Sequence, residues 1–516
     1  MKKIFYSLLL LSVILASSCT KEKKVVPKPI TDTTKLTPTA LDLIKDSVFL
    51  FAKEDYLWYD QLPTYQVFNP RSFTDPDDMT ALTKEVDALS QIAINPTTTK
   101  PYEYYVPNPG EAKYSFIDDG SVSAELNGVK GDFGFAPFYN HLDESDLRVK
   151  YVYPGSPADL KGIKRGYRIT SINSRTSLTY DGDNGPNVNF VVNAYAYSNT
   201  ISMTLLKPDG TTLTVNNMST ANYNVNPVLK DSVYNPSKGR KVGYMVFNSF
   251  TSQDNAGPQL DLVFNKFIDS AITDLVVDLR YNGGGYVSTA EYIDNYIVPA
   301  TKSGTPMYIT YYNNNLQNDI HPLLSGVYNI PAGSFKPENS DNSISFNKKG
   351  SLNVNHVYFI ITGATASASE LTINNLRPEM DVQFVGNTSY GKPVGFFAID
   401  INKYQLYIPE FYTQNSAGQG GYYSGFTPGA STSAYPGVED FDDVTKDFGD
   451  SGEGLLAHIL SYVKTGTYSV KSPVIQSLSS RQTMSISAEN SLAKKMSKSK
   501  FNGMIFDKKL KSKKRF

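Results

Sequence analysis

Residues 365–392 read TASASELTINNLRPEMDVQFVGNTSYGK, and this stretch does most to decide the fold and the chemistry of the chain. The apolar run from Val357 to Ile361 that precedes it has the length and composition of a buried strand. A short turn follows, and Ser367 then begins a pattern typical of a helix. A hydroxyl at such a strand-to-helix corner lies near the positive end of the helix dipole, where a developing anion is stabilised. Ser367 is therefore a candidate nucleophile.

A serine hydroxyl needs a neighbouring base to take its proton. None of the four histidines of the chain lies in this stretch: His141, His321, His356 and His458. The nearest, His356, precedes the strand and is expected at its far end from Ser367. A lysine can replace histidine where burial or a nearby positive charge lowers its pKa. Lys392, in a Gly-Lys-Pro turn 25 residues after Ser367, is therefore the candidate base.

A third motif lies upstream, in DLVVDLRYNGGGY at residues 274–286. Its first half is a second buried strand, and its three glycines suit backbone conformations that other residues resist. If the two strands are neighbours, an amide of Gly284 or Gly285 and the amide of Ala368 could together bind a tetrahedral oxyanion. Taken singly, the three motifs also fit a helix cap, a solvated turn and a tight loop. Their order and spacing favour the chemical interpretation.

In that order and spacing, DLRYNGGG, TASASE and SYGK resemble the motifs of the carboxyl-terminal processing peptidases, also called tail-specific proteases. The resemblance implies a Ser-Lys dyad of Ser367 and Lys392, without a cofactor, in a crotonase-like or ClpP-like α/β core. It also implies an exported serine endopeptidase that acts on proteins or peptides with free C-termini. Other positions matched by the resemblance are the oxyanion residues and the supporting residues: Gly284, Gly285, Ala368, Glu370 and Ser389.

One position departs from the family pattern. The family often has a glutamine four residues after the lysine, and this chain has Phe396. A phenyl ring cannot accept a hydrogen bond from the amine as a glutamine does, although it can desolvate it. The alternative function is therefore a peptide-binding lipoprotein that keeps the fold with an impaired base. A crotonase-like acyl-coenzyme A enzyme is a third hypothesis, but it has no use for an export signal.

Residues 146–173 resemble the second half of a PDZ domain. Upstream, GDFGF at residues 131–135 resembles the PDZ loop that holds a peptide's terminal carboxylate, which makes Phe133, Gly134 and Phe135 candidate peptide-binding residues. Amides in such a loop bind anions, and the following strand can add the peptide as an extra strand. A plain turn between two strands is the alternative for this loop. The match is imperfect because Tyr167 stands where the family usually has aspartate.

The N-terminus predicts export. The apolar run from Ile4 to Leu15 is too short to span a membrane stably but suits a signal peptide. Cys19 follows three small residues and is the only cysteine, which looks like a bacterial lipoprotein site and excludes intrachain disulfides. We therefore expect a lipid anchor to the membrane, with the protein in the bacterial cell envelope as an outer-membrane lipoprotein facing the periplasm or the cell surface.

The 516 residues are enough for two or three domains with sizeable cores. Alternating strand and helix patterns argue for an α/β core. A formal net charge of −1 gives no argument for nucleic acid, no spacing of His, Cys or acidic residues predicts a metal site, and the oligomeric state is left open. The predicted segments are a signal peptide (1–18), a lipid-anchored tether (19–37), a helical region (38–110), an inserted or preceding PDZ-like β domain (113–224), a peptidase core (241–466), and a polar basic tail expected to be disordered (472–516).

Overall fold

A computed structural model describes residues 37–140, 143–430 and 432–468, and the short stretches 491–492, 495–496, 503–506 and 511–512. The predicted signal peptide, Cys19 and nearly all of the predicted tether lie outside the described residues. The contacts within the chain divide it into two compact units, Met1–Thr39 and Ala40–Phe516, and the elements below belong to the second unit. No helix in the described part of the chain is long and apolar enough to cross a membrane.

The N-terminal region is more broken than the predicted helical pattern. Asn69 adopts φ 52° and ends the second helix directly before Pro70, which cannot continue it. The third helix begins where the Asp77 carboxylate accepts a hydrogen bond of 2.8 Å from the amide of Thr80. The elements are α1 Ala40–Asp55, α2 Tyr65–Phe68, α3 Asp78–Ser90, β1 Ile94–Asn95, β2 Lys100–Pro101, β3 Phe116–Asp118 and α4 Ser121–Leu126.

Residues 129–224, called the β domain below, form an antiparallel sheet with the order β5-β6-β7-β8-β9, while β4 pairs with β10. The stretch that resembles a PDZ domain contains the short helix Pro157–Leu160 and the strand Arg168–Ile172. The elements are β4 Val129–Asp132, β5 Phe135–Asn140, β6 Asp143–Val152, α5 Pro157–Leu160, β7 Arg168–Ile172, α6 Pro186–Ala196, β8 Thr200–Leu206, β9 Thr212–Ser219 and β10 Ala221–Asn224.

The core alternates strands and helices, and the described part of the tail adds two short strands. The elements are β11 Val228–Ser237, β12 Arg240–Phe247, α7 Gln253–Asp269, β13 Asp274–Asp278, β14 Gly284–Tyr286, α8 Val287–Ile297, β15 Pro306–Tyr312, α9 Asn314–Gln317, α10 Pro322–Val327, β16 Tyr328–Asn329, β17 Ser343–Ser345, β18 His356–Ile361, α11 Ala368–Leu376, β19 Asp381–Gly386, β20 Val394–Gly395, β21 Ile399–Ile401, β22 Tyr404–Tyr407, β23 Phe411–Asn415, β24 Gly437–Glu439, α12 Gly454–Thr465, β25 Gly503–Ile505 and β26 Lys511–Ser512.

The main sheet of the core has the order β11-β12-β13-β18-β19-β24, and every neighbouring pair except β11 and β12 is parallel. Asp278 lies opposite Ile360, which in turn lies opposite Val385. The carboxyl ends of β13 and β18 therefore meet at one edge of the sheet. This register places the glycine loop after β13 beside the turn that leads to Ser367, as the sequence predicted.

Side chains along the strands alternate between two apolar layers. Leu275, Val277 and Leu279 face the cluster that contains the apolar residues of α7, α8 and α11, whereas Val276 faces the cluster that contains α12. All four are fully buried, and each contributes about 1.5–3 kcal/mol to stability. Because helices cover both faces, these strands read as continuous apolar runs. The predicted α/β fold class is confirmed.

The segment Gly395–Phe411 is divided between two sheets, since β21 pairs with β22 while β20 pairs with β23. One prediction differs from the structure. The expectation of a disordered tail is wrong for Gly503–Ile505, which form a buried strand paired with β14. Its overall polar composition hid this short apolar stretch. Most of the remaining tail lies outside the described residues.

Candidate active site

Ser367 occupies the residue before α11 with φ 62° and ψ −109°. A residue with a side chain adopts such a conformation at a cost of about 1–3 kcal/mol, and such strain concentrates at functional sites. Ser367 is fully buried, and its Oγ makes no hydrogen bond to any residue in the described part of the chain. The corner predicted from the sequence is therefore present, with its hydroxyl left unpaired.

The Glu370 carboxylate joins the serine corner to the lysine turn. Its Oε2 accepts hydrogen bonds from the backbone amides of Ser367 (3.0 Å) and Lys392 (2.8 Å). Its Oε1 accepts from the amide of Gly391 (2.8 Å) and from the hydroxyl of Ser389 (2.5 Å). Burial raises the pKa of Glu370, and the four donors oppose that shift. One buried carboxylate thus holds together residues that lie 25 positions apart.

The glycine loop lies directly against this corner. The Asn282 carbonyl accepts hydrogen bonds of 3.0 Å from the amide of Ala366 and from the hydroxyl of Ser369. Gly284 adopts φ 105°, and a Cβ placed there would lie 3.1 Å from the amide nitrogen of Ala368. The Gly284 amide itself donates to the Asn282 side chain at 2.9 Å. The amides of Gly285 and Ala368 are therefore the better candidate pair for an oxyanion.

Lys392 lies in a closed, mostly apolar environment. Its side chain is fully buried, and its Nζ lies 3.8 Å from the centroid of the Phe396 ring and 5.5 Å from that of Tyr114. Burial lowers the pKa of Lys392 well below its usual range, and the positive charge of Lys113 acts in the same direction. The carboxylates near it oppose this shift. A lysine in this environment can supply a neutral amine near neutral pH.

Sequence reasoning missed a group of residues that surrounds the lysine turn. The Lys113 amine donates to the Gly391 carbonyl at 3.1 Å, and the Tyr114 hydroxyl donates to the same oxygen at 2.7 Å. The Glu103 carboxylate accepts from the amide of Tyr114 at 3.0 Å. These residues lie more than 270 positions before Lys392, and only the fold brings them to the site. No motif in the sequence marks them.

Replacing Lys113 with methionine should move the acid limb of the pH–rate profile to higher pH. Burial lowers the pKa of Lys113 to about 8, so that its charge is present at pH 7. This charge disfavours protonation of Lys392, and its removal raises the pKa of Lys392. Less neutral amine then remains at pH 7, and kcat/KM should fall severalfold there while recovering at high pH. The measurement is kcat/KM against pH, and Lys113→Arg, which keeps the charge, is the control; a shift to lower pH would contradict this electrostatic role.

A buried ion cluster supports the other side of the glycine loop. The Arg280 guanidinium contacts the carboxylates of Asp278 (2.6 Å), Asp442 (2.6 Å) and Glu453 (2.7 Å). Arg165 of the β domain contacts Asp442 at 2.8 Å. The two arginines lower the pKa of Asp442 although burial opposes them. Breaking such a pair leaves an uncompensated buried charge, at a cost of about 3–5 kcal/mol. The cluster fixes the β domain to the strand that carries the glycine loop.

The predicted peptide-binding loop of the β domain is tightly packed. Phe133 and Phe135 are buried, and Phe135 begins β5 at an edge of the sheet. Gly134 adopts φ 80°, and a Cβ placed there would lie 1.9 Å from the Cβ of Ser156. The Gly134 amide donates to the carboxylate of Asp132 at 2.7 Å. That amide is therefore satisfied within the loop, and binding of a terminal carboxylate by these residues stays a prediction.

A cavity of about 810 Å³ connects the β domain to the serine corner. Its lining includes Phe135 and Tyr195 of the β domain, Lys113, and Gly284 and Ala364 beside Ser367. His356 lies elsewhere, since its Nδ1 contacts the Asp381 carboxylate at 2.7 Å at the start of β18. Within the described residues, no group of three or more His, Cys, Asp or Glu side chains could hold a metal ion.

Residues 241–428 match the sequence model of Peptidase family S41. The chain carries an S41 peptidase domain. The matched range contains Ser367, Lys392, Glu370 and the glycine loop, and the sequence resemblance is thereby confirmed at the level of this family. The S41 domain is a serine-type peptidase domain.

The chain is also similar to solved structures. A protein of Bacteroides fragilis NCTC 9343, described as a candidate S41 protease, is 22% identical with a TM-score of 0.53, over 81% of this chain and 97% of its own. The photosystem II D1 C-terminal processing protease is 16% identical with a TM-score of 0.41, over 76% of this chain and 92% of its own. No curated protein is significantly similar in sequence.

Proposed function

We propose that the S41 domain is an endopeptidase that cleaves proteins or peptides near their carboxyl termini through Ser367 and Lys392. The observation that carries the proposal is the Glu370 carboxylate, which joins the backbones of a strained, unpaired serine and a fully buried lysine. Nucleophile, base and glycine loop thus come from one edge of the sheet. No histidine is needed for this chemistry.

In the proposed reaction, the neutral amine of Lys392 takes the proton of the Ser367 hydroxyl as its oxygen attacks the substrate carbonyl. The amides of Gly285 and Ala368 stabilise the oxyanion of the tetrahedral intermediate. Lys392 then protonates the leaving amine, and water hydrolyses the acyl-enzyme. The Ser367 hydroxyl must first turn towards the lysine, since it is unpaired in this structure. Such rotations are fast, and catalytic hydrogen bonds often tighten only with substrate.

Phe396 contacts the lysine differently from the glutamine that the family often has at this position. Its ring face lies 3.8 Å from the Lys392 amine, where a cation–π contact favours the protonated form while the surrounding burial favours the neutral one. The ring packs against the amine and keeps water from it. This burial, which favours the neutral amine, supports an active dyad over an impaired base.

The choice of carboxyl termini rests on the β domain, whose edge strand and α6 border the cavity that leads to Gly284. Strand addition at that edge would orient a peptide towards the catalytic corner.

A lipid anchor at Cys19 would place the peptidase in the bacterial cell envelope, on the outer membrane. In this proposal Cys19→Ser moves the protein from the membrane fraction to the soluble fraction; retention on the membrane would argue against the anchor.

A serine-directed fluorophosphonate probe tests the catalytic proposal. We expect the full-length protein to be labelled at Ser367, with the site identified by mass spectrometry, and Ser367→Ala to remain unlabelled. Ser369→Ala, two residues on, is a matched control that keeps the nucleophile and should still be labelled. Equal labelling of the wild type and Ser367→Ala would refute the assignment, and no labelling of either would favour the peptide-binding lipoprotein.

A further inference from the structure

The tail strand β25 lies inside the catalytic site. On one side it is parallel to β14, where the Gly503 amide donates to the Gly283 carbonyl at 3.1 Å. On the other side the Phe396 amide donates to the Met504 carbonyl, and the Phe506 amide donates to the Phe396 carbonyl, both at 2.8 Å. The strand is therefore hydrogen-bonded between the glycine loop and the residue that packs on the catalytic lysine.

The Gly503 carbonyl lies beside the glycine loop and the start of α11. A Cβ placed on Gly284 would be 2.4 Å from the Gly503 oxygen and 3.1 Å from the Ala368 amide nitrogen. The register of the parallel ladder sets the same oxygen opposite the amide of Gly285. Both candidate oxyanion donors therefore lie beside a carbonyl of the chain itself.

With β25 in place the catalytic pair is closed to other peptides. Ser367 and Lys392 are each 0% exposed, and Met504 and Ile505 are 0% and 5% exposed in the same apolar core. A peptide from solution can reach the Ser367 hydroxyl only if something leaves this site. The tail strand already lies between the glycine loop and Phe396, so it is the element that must leave.

The tail also contacts the β domain upstream of this strand. Leu492 and Met496 pack in the apolar cluster that contains Phe133 and Phe135. The Lys495 amine donates to the Asp183 carbonyl at 2.6 Å. Six residues separate Met496 from Gly503. The tail thus touches both surfaces that are proposed to bind a substrate peptide.

We propose that Gly503–Phe506 is an internal competitor, which occupies the substrate-strand position and must be displaced before another peptide binds. This regulation rests on the proposed peptidase function of the same site. A tethered segment acts at an effective concentration in the millimolar range, so an intrinsic dissociation constant of about 0.1 mM would weaken binding of outside peptides roughly tenfold. The inhibition is reversible and needs no covalent step.

Binding of a fluorescein-labelled synthetic peptide SKFNGMIFDK, the sequence of residues 499–508, tests the competition. All proteins carry Ser367→Ala so that no peptide is cleaved, and affinity is measured by fluorescence anisotropy. Met504→Asp places a charge in a fully buried position and should expel the strand, which tightens peptide binding about tenfold. Phe516→Asp makes a similar change at the end of the tail and should leave the affinity unchanged. A scrambled peptide controls for nonspecific binding.

A second variant, which ends at Asn502, removes the strand without a new charge and should bind the peptide as tightly as Met504→Asp. Thermal melts select the variants that remain folded. Unchanged or weaker binding in the folded variants would overturn the proposal and make β25 a permanent structural strand. These binding measurements need no turnover. If peptide binding becomes tighter but the proteins that keep Ser367 hydrolyse no peptide, the proposed peptidase function is refuted and the proposal of an internal competitor stands. In proteins that keep Ser367, removal of the strand should lower KM for peptide hydrolysis and leave kcat nearly unchanged.

Discussion

Lys392→Met should lower kcat/KM for peptide hydrolysis by at least about 10³-fold, because the Ser367 hydroxyl then has no base to take its proton. Methionine keeps the length and the apolar character of the buried stem, so that no cavity opens. Ser367→Ala should have a similar effect. The double variant should be little worse than either single variant, since residues that act as a unit are not additive.

The stability of Lys392→Met distinguishes a loss of catalysis from unfolding of the protein. The folded state holds Lys392 with a pKa below that of the unfolded chain, so the unfolded state binds more protons between those two values. This difference makes the free energy of unfolding rise with pH across that window, and at pH 7 it destabilises the fold. Lys392→Met removes that cost, and the melting temperature should stay equal or increase. Steady-state kinetics with thermal melts measure both effects.

His356→Ala is the matched control for the dyad. This histidine lies at the opposite end of β18 from Ser367 and pairs with the Asp381 carboxylate. Activity should stay within about twofold of the wild type, because the pair is partly exposed and contributes little. Full activity in Lys392→Met, or a large loss in His356→Ala, would refute the Ser-Lys assignment.

The serine corner could be predicted because its parts are local in sequence. A buried strand, a turn and a helix fix the position of Ser367, and the glycine run fixes the end of β13. Parallel pairing of β13 with β18 then has to bring both ends to one edge. The α/β core follows from the same periodicity. Here short-range pattern and tertiary structure agree.

The environment of Lys392 could not be predicted in the same way. Glu103, Lys113 and Tyr114 lie in irregular segments without periodicity, and they reach the lysine turn only through long-range packing. The tail strand was missed for a similar reason. A short apolar run in a polar tail does not by itself predict a strand. It forms β25 because an edge of β14 would otherwise lack a hydrogen-bonded neighbour.

Glu370→Gln should cost about 2–4 kcal/mol in the free energy of unfolding and lower kcat/KM by roughly 10²-fold. The buried carboxylate accepts from four donors, and a glutamine would turn an NH₂ group towards two of them. Unpaired buried donors carry the stability cost. Activity falls because Ser367 and Lys392 are no longer held in one geometry. Ser389→Ala leaves the carboxylate three donors but also removes the acceptor of the buried Phe426 amide, so it should cost about 1–3 kcal/mol.

The pH–rate profile distinguishes an electrostatic and positioning role of Glu370 from general loosening of the fold. The negative charge of Glu370 favours protonated Lys392, and its removal lowers the pKa of the lysine further. The acid limb of Glu370→Gln should therefore move to lower pH, while that of Lys113→Met moves to higher pH. General loosening would admit water to the lysine, relieve its burial and move both limbs to higher pH. Opposite shifts in the two variants would place both charges beside the amine that titrates, whereas shifts of both limbs to higher pH would indicate general loosening instead of separate electrostatic roles.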